Sequence, residues 1–175
     1  FIGDLYVPTV SVGFASFAGC VGFGGRFSLE SIQVESVDDY AFYNCSNLSG
    51  NLIIGSAMDT IGDYSFYNMN SLNQEFQLCG ELPEDFDGRT SEYDADLEEF
   101  VPLVDSVLTA FGNYAFAGNS NLSGNLVIPD SVTSWGDYAF LDMSSLNGFL
   151  ILGTGSNIIR EGMFKNCSNL KCYNG

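Results

Sequence analysis

The sequence predicts an α/β-type repeat solenoid, mostly short parallel β-strands and loops, with about seven coils. A phenylalanine recurs every 24 or 25 residues, and apolar residues keep a fixed distance from it. The phenylalanines are Phe17, Phe42, Phe66, Phe116, Phe140 and Phe164. Only one of their separations differs, and at 50 residues it equals two periods. A repeat of this length is typical of chains that stack one structural unit on the next.

Two further apolar columns share this period. One lies six residues after each phenylalanine and contains Phe23, Leu48, Leu72, Leu122, Leu146 and Leu170. The other lies five residues before and contains Val12, Val37, Ile61, Phe111, Trp135 and Ile159. Stacked coils turn each column into a continuous ladder of core side chains. Each buried member contributes about 1.5 to 3 kcal/mol.

Short β-rich segments at 52–54, 76–78, 126–128 and 150–152 predict one strand per coil. Strands of successive coils, spaced ~4.8 Å apart, would form a parallel sheet. The motif Asn-Leu-Ser-Gly-Asn at 47–51 and 121–125 predicts tight corners, because Asn and Gly tolerate positive φ. The long gap between Phe66 and Phe116 predicts a degenerate, acidic coil at about residues 80–103. In that frame Leu97 joins the leucine column, and 101–103 lies opposite 52–54.

Charge excludes one class of partner. The chain has 22 acidic and 5 basic residues, a net charge of -17, which repels nucleic acid and anionic lipid. Apolar runs such as 149–152 are far shorter than the ~20 residues of a membrane span, so we expect no membrane insertion. Because the chain begins with Phe1 and enters the repeat almost at once, we expect a fragment of a larger protein.

Catalysis finds little support in the residue inventory. The chain has no histidine, which excludes Ser-His and Cys-His nucleophilic pairs. Its five cysteines are Cys20, Cys45, Cys79, Cys167 and Cys172. Three of them share one slot of the repeat, where other coils have Met or Asn, which favours a packing role over a disulfide framework. We expect a non-enzymatic protein with no catalytic residues.

The acidic segment and the sequons leave alternatives open. Nine of the acidic residues lie between Glu81 and Glu99, in a solvated acidic bulge or a calcium site. The candidate calcium ligands are Asp85, Asp87, Asp94 and Asp96; no other cofactor is expected. Asn-x-Ser sequons occur at Asn44, Asn47, Asn121 and Asn166. They predict glycans only in a secreted eukaryotic protein, because the repeat also needs asparagine for its turns.

Three motifs resemble the BspA-type leucine-rich repeat: Ile-Gly-Asp-Tyr-Ser-Phe at 61–66, Trp-Gly-Asp-Tyr-Ala-Phe at 135–140 and Ile-Pro-Asp-Ser-Val at 128–132. Cys45 and Cys167 match its cysteine slot. The resemblance covers nearly the whole chain, and we expect residues 1–175 to form one domain. It implies a right-handed leucine-rich-repeat arc, usually part of a larger secreted or cell-surface protein. Adhesion, by binding a protein or glycan, is the role it implies, and it carries no catalytic residues.

The concave strand face is the default binding surface of such solenoids. If Leu52 and Ile54 point inward, strand alternation turns the intervening column outward. That column contains Ile53, Gln77, Pro102, Val127 and Ile151, flanked by Phe100 and Phe149. Its apolar character predicts an interface with a partner. A second hypothesis is self-assembly: neither end resembles a polar cap, so copies would stack end to end into a fibre or surface layer.

Overall fold

The computed structural model describes residues 5–7, 10–29, 34–78, 91–94, 99–102, 106–153, 155 and 158–172. These residues form fourteen short β-strands joined by turns, with no helix among them. Within these same ranges there is accordingly no helix long and apolar enough to cross a membrane. The architecture is a β-solenoid of parallel strands, as the sequence predicts.

Five two-residue strands form the first sheet, one from each successive coil. They are β2 (Ser11–Val12), β4 (Ser36–Val37), β6 (Thr60–Ile61), β10 (Ala110–Phe111) and β12 (Ser134–Trp135). All neighbours are parallel and pair in the order β2-β4-β6-β10-β12. Their second residues are the apolar column five residues before each phenylalanine, and all five side chains are buried. Short strands suffice because the next coil extends the ladder on each side.

The second face carries the strands expected from the apolar segments. They are β1 (Leu5–Tyr6), β3 (Phe27–Ser28), β5 (Gly50–Ile53), β7 (Leu72–Gln77), β11 (Leu126–Ile128), β13 (Phe149–Leu152) and β14 (Lys171–Cys172). Parallel pairing joins β1 to β3, β5 to β7, and β11 to β13 and β14. Single parallel bridges, such as Leu29↔Ile54 and Glu75↔Ser123, link these groups. All four predicted strand segments are therefore confirmed.

A stack of six phenylalanine rings runs between the two faces. Successive ring centroids lie 5.2 to 5.8 Å apart, with interplanar angles of at most 10°. The four inner rings, of Phe42, Phe66, Phe116 and Phe140, are completely buried. In-register stacking gives each ring two aromatic neighbours and adds about 0.5–1.5 kcal/mol per pair beyond the burial of area.

The predicted seventh coil is wrong. Phe66 stacks directly on Phe116 at 5.4 Å, and β6 pairs with β10 through Ile61↔Phe111. The solenoid thus has six phenylalanine rungs, separated by five turns, with no rung from the residues between. Of those residues, β8 (Ser91–Asp94) and β9 (Glu99–Pro102) form an antiparallel pair. The strand 99–102 therefore does not lie opposite 52–54, and Leu97 falls outside the described residues.

Left-handed backbone marks two positions in every coil. The first, two residues before each phenylalanine, is filled by Ala15, Tyr40, Tyr64, Tyr114, Tyr138 and Gly162, with φ between 50° and 59°. The second, two residues after, is filled by Gly19, Asn44, Asn68, Gly118, Asp142 and Asn166. In the predicted Asn-Leu-Ser-Gly-Asn corners the glycines, Gly50 and Gly124, adopt positive φ, and the asparagines do not. This left-handed conformation costs a non-glycine residue about 1–2 kcal/mol.

Hydrogen bonds between coils offset that cost. At each corner, three N–H groups of one coil donate to three carbonyls of the next coil. For example, the N–H groups of Tyr40, Phe42 and Asn44 donate to the carbonyls of Asp63, Ser65 and Tyr67, respectively, at 2.8–2.9 Å. The alternation of right- and left-handed residues turns every second N–H toward the next coil. The same pattern joins the coils on either side of the 79–105 segment, since the Phe66 N–H donates to the Ala115 carbonyl at 2.8 Å.

The cysteine slot serves packing and hydrogen bonding. Cys20, Cys45 and Cys167 are unpaired thiols. The Cys45 thiol donates to the Phe17 carbonyl at 2.9 Å and the Cys167 thiol to the Phe140 carbonyl at 3.0 Å. Burial raises the pKa of both thiols to about 11. The packing interpretation holds for this slot; the Cys79 and Cys172 side chains lie outside the described set.

Candidate functional site

The predicted binding column is far less exposed than its sequence indicates. Pairing places Ile53 beside Gln77, and Val127 beside Ile151. Yet Ile53, Val127 and Ile151 are only 5–7% exposed, so the expectation of an exposed apolar stripe is wrong for these three. Strand alternation is as predicted, but side chains stacked at one strand spacing cover the flanks of their neighbours. Partner binding at this column remains a prediction, over a smaller surface.

The other members of that column separate into three environments. Gln77 is half-buried, and its Oε1 atom has no hydrogen-bond partner within the described ranges. Phe149 is 43% exposed, and the Lys171 Nζ atom lies 6.0 Å from its ring centroid. Pro102 and Phe100 belong to β9, which pairs with β8 rather than with the strands of the column. The structure therefore does not align Pro102 with Val127.

The calcium prediction stays untested. Asp85, Asp87 and Asp96 lie outside the described residues, and Asp94 ends β8 with a side chain that is not described. In the part of the chain that is described, no cluster of three or more acidic or cysteine side chains forms a metal-binding group.

Each sequon asparagine takes part in the hydrogen bonds between coils. Asn47 and Asn121 donate from Nδ2 to the carbonyls of Val21 and Asn70, in the preceding coil. Asn166 donates to Asp142, at 2.6 Å, and Asn44 accepts from Asn68, at 2.7 Å. These bonds support the predicted role of asparagine in the turns. Glycosylation at the four positions remains a prediction.

The most regular exposed feature is a row of stacked tyrosines at the left-handed corner. Ring centroids lie 5.1 Å apart for Tyr40 and Tyr64, 4.8 Å for Tyr64 and Tyr114, and 5.0 Å for Tyr114 and Tyr138. The planes of each pair are within 10° of parallel. Tyr43 and Tyr67 form a second stacked pair at 5.3 Å, edge-on to Tyr40 and Tyr64 respectively. We call these six residues the tyrosine ridge.

The hydroxyl groups of the ridge are largely unused. All six rings are half-buried, and stacking covers the faces of the inner rings. The Tyr138 hydroxyl donates to Glu161 at 2.6 Å, and this hydrogen bond raises the tyrosine pKa. Among the described residues the other five hydroxyls have no hydrogen-bond partner. Burial, followed by the neighbouring tyrosines, raises the pKa of Tyr64.

A ladder of Asp and Asn side chains runs beside the ridge. Asp39 Oδ1 accepts from the Asp63 N–H at 2.7 Å, and Asp63 Oδ1 from the Asn113 N–H at 2.6 Å. Asn113 Oδ1 accepts in turn from the Asp137 N–H at 2.8 Å, and Asp137 forms an ion pair with Arg160 at 2.9 Å. The four residues of the ladder, Asp39, Asp63, Asn113 and Asp137, each immediately precede a tyrosine of the ridge. These bonds fix the spacing of the tyrosines.

Glycine lets the coils approach closely behind this ladder. A Cβ added to Gly112 would lie 2.4–2.6 Å from atoms of Asp63 and Gly62. Gly62 and Gly136, at the same position of neighbouring coils, meet the preceding coil equally closely. The spacing of the ridge therefore depends on a glycine column beside it.

An open cleft lies at the first-coil end of the ridge. Its volume is about 250 Å³, and its lining includes Phe14, Asp38, Asp39, Thr60 and Gly62. Phe14 is 70% exposed and meets the Tyr40 ring edge-on at 5.9 Å. The cleft extends the ridge by one aromatic side chain.

Sequence reasoning did not identify the tyrosine column as a surface. The missed signal lies in the residues that share its position in other coils. Gly162 fills the tyrosine position in the last coil, and Gly19 and Gly118 fill the second left-handed position. Columns that alternate between Gly and Asn or Tyr indicate left-handed corners, which turn side chains away from the core.

Comparison with known proteins agrees with this architecture. The family described as BspA type leucine rich repeat region matches in six copies, over residues 7–82 and 93–174. A crystal structure of a leucine-rich repeat protein from Bacteroides ovatus superposes on this chain with a TM-score of 0.64 and 23% sequence identity. The match covers 97% of this chain and 38% of the Bacteroides ovatus chain. That likeness shows a shared fold.

A leucine rich cell surface protein from Faecalibacterium prausnitzii aligns over 92% of this chain and 56% of its own, with 16% identity and a TM-score of 0.35. The chain thus spans less than two thirds of either structure. No curated protein matches it.

Proposed function

Because the chain belongs to the BspA-type leucine-rich repeat family, we propose that it is a non-catalytic binding module that acts outside the cell or at its surface. The proposal places the ligand on the tyrosine ridge. It keeps adhesion as the role and moves the contact surface away from the strand column named from sequence.

The carrying observation is the row of hydroxyls on Tyr40, Tyr64 and Tyr114, which have no hydrogen-bond partner within the part of the chain that the structure describes. A phenylalanine at each position would stack equally well, so the hydroxyl groups contribute nothing to the stacking of the rings. Each hydroxyl is both a donor and an acceptor. Three such groups in register across consecutive coils form an extended array of hydrogen-bonding positions. An array of this kind suits recognition of a second molecule.

The neighbouring carboxylates support binding over catalysis. General acid-base chemistry needs a carboxyl group whose pKa is raised in a sheltered site. Asp39, Asp63 and Asp137 instead accept hydrogen bonds from N–H or guanidinium groups of the following coil. These groups therefore act as structural acceptors beside the ridge.

Surface-capture measurements test the proposal. The purified chain, immobilised, is exposed to a panel of extracellular-matrix proteins and polysaccharides. We expect retention of at least one panel member, and loss of that retention in a Tyr64→Ala/Tyr114→Ala variant. The matched control is Phe149→Ala, which removes an exposed aromatic from the strand face. Two outcomes contradict a ridge-based binding module. In one, the two variants lose retention of the panel member equally; in the other, the parent chain retains no panel member.

Self-assembly is the second candidate, and one observation favours it. The column of Val12, Val37, Ile61, Phe111 and Trp135 is 1–6% exposed, whereas its next member, Ile159, is 59% exposed and Ile158 beside it is 66% exposed. A further coil stacked on this rung would bury Ile159. We propose that this coil comes from a second copy, in an end-to-end fibre or surface layer.

Sedimentation velocity over a range of concentrations tests the assembly candidate. We expect growing polymers for the parent chain and monomers for Ile158→Glu/Ile159→Glu. Val107→Glu is the matched control, because Val107 is also exposed but lies away from the end rung. A monomeric parent chain at high concentration eliminates end-to-end assembly.

A further inference from the structure

We propose that the tyrosine ridge binds a neutral, unbranched, extended polysaccharide laid along the solenoid axis. The inference rests on the proposed binding function and specifies its ligand. Three properties of the ridge carry it: its repeat distance, its hydrogen-bonding chemistry and its charge.

The repeat distance comes from the coils themselves. Successive ridge hydroxyls belong to rings stacked 4.8–5.1 Å apart, over Tyr40, Tyr64, Tyr114 and Tyr138. The spacing is close to the ~4.8 Å between parallel strands because one tyrosine comes from each coil. An extended pyranose chain advances by a similar distance per sugar. Consecutive sugars therefore meet consecutive coils, and each offers its hydroxyls to the same protein groups.

The chemistry of the ridge matches hydroxyl-rich ligands. A sugar hydroxyl, like a phenol, donates and accepts, so the two satisfy each other without a formal charge. Stacking covers both faces of Tyr64 and Tyr114, which leaves their edges and hydroxyls for the ligand. Recognition by ring faces is therefore restricted to the ends, where Phe14 is 70% exposed. The ridge thus favours lateral hydrogen bonding along a chain over stacking of one sugar on a ring.

Charge selects a neutral polymer. The net charge of -17 repels polyanions such as acidic glycans. A cationic peptide would need open ring faces or unused carboxylates for its anchors. The inner ring faces are stacked, both Asp63 oxygens accept hydrogen bonds from Asn113, and Asp137 is paired with Arg160. Along the inner rungs of the ridge the observations therefore favour an uncharged ligand.

Affinity electrophoresis of the whole chain tests the assignment. Native gels contain a linear β-glucan, a β-mannan, an α-glucan or, as the polyanionic control, polygalacturonate. The decisive variant is Tyr64→Phe/Tyr114→Phe, which removes two hydroxyls and keeps the rings and their stacking. Phe149→Ala is the matched control, because it removes an exposed aromatic side chain that lies on strand β13, outside the ridge. Circular dichroism confirms that all variants fold alike.

We expect at least one neutral glycan to retard the parent chain, and polygalacturonate to leave it unaffected. Retardation should persist in ~0.5 M salt, because no charges are screened. The double variant should bind about tenfold more weakly, from the loss of two hydrogen bonds, and Phe149→Ala should bind as the parent chain does. No retardation by any neutral glycan, or equal retardation of the double variant, overturns the proposal.

A parallel titration with oligolysine separates the two proposals. If oligolysine binds, loses binding in salt and no neutral glycan is retained, the ridge is a binding surface for cationic peptides; the binding function then stands and the glycan assignment fails. If neither probe binds and surface capture is also negative, both proposals fail.

Discussion

The rings of Phe66 and Phe116 stack with centroids 5.4 Å apart and planes 4° from parallel, although fifty residues separate them in the sequence. This distance lies within the 5.2 to 5.8 Å that separates the rings of successive coils along the stack. The segment between Leu78 and Ser106 therefore interrupts the sequence of the solenoid without interrupting its core. Such an insertion should be removable.

Replacing residues 79–105 with a single glycine should leave the solenoid intact. The join Leu78-Gly-Ser106 then reproduces Ile54-Gly55-Ser56, the equivalent connection one coil earlier. We expect an unchanged circular dichroism spectrum and a midpoint of thermal unfolding within a few degrees of the parent chain, about what a surface change produces. Loss of cooperative unfolding would show that the segment supports the coils.

Gly112→Ala should destabilise the fold. Its Cβ would lie within 2.6 Å of atoms of the preceding coil, so the two coils must separate. Overpacking of this kind costs about 1–3 kcal/mol, measurable by urea unfolding. The matched control is Gly22→Ala, which has nothing within 4 Å of the added carbon. Equal stability of the two variants would contradict the close approach.

Asn119→Leu should lower the free energy of unfolding by more than the small difference in side-chain size suggests. The buried Asn119 side chain accepts from the Met69 N–H and donates to the Phe66 and Phe116 carbonyls, each at 2.8 Å. Leucine leaves these groups without partners, at a cost of about 1–3 kcal/mol. Asn119→Cys should be milder, because cysteine bonds the corresponding carbonyl in other coils. Chemical denaturation ranks the two; a leucine variant as stable as the parent chain defeats the argument.

Alkaline pH should weaken the fold through its buried thiols. Burial raises the pKa of Cys45 and Cys167 from 9.0 to about 11. A raised pKa means that the folded state holds the proton more tightly, so this stability is fully present below about pH 9 and is lost as pH rises through about 11. Replacing both cysteines with alanine should flatten the fall of the unfolding midpoint over that range. Tyrosine ionisation accounts for the rest of the fall in the unfolding midpoint with pH. An equally steep fall in the parent chain and in the double variant would refute the role of the thiols.

The sequence predicted the features that repeat and missed those that depend on one location. The phase of Phe42, Phe66, Phe116 and Phe140 located the core, because an in-register stack repeats its residue types. The same phase argument predicted a coil that the structure lacks between Phe66 and Phe116. A separation of two periods is explained by an insertion of one period as well as by an extra coil. Phase measures length along the chain and carries no information on which coils are in contact.

The candidate site shows the same division. Alternation along β5 and β11 placed Ile53 and Val127 on the outward side correctly, yet exposure depends on neighbours that alternation does not count. The tyrosine ridge was visible as a column, but its surface character follows from left-handed backbone at Tyr64 and Tyr114. A non-glycine residue in that conformation is stabilised by the stacked coils around it, which only the assembled structure contains.

The hydrogen bonds at the corners give the solenoid a polarity. Every second corner N–H, from Ala15 to Asp142, points from its own coil toward the following one, so the dipoles of these peptide groups add along the axis as they do in a helix. By the same pattern the first coil presents acceptors, and the last coil, at Phe164 and Asn166, presents donors. Its two ends are therefore electrically unlike. Any coil that continues the stack, from the same chain or another, must arrive head to tail.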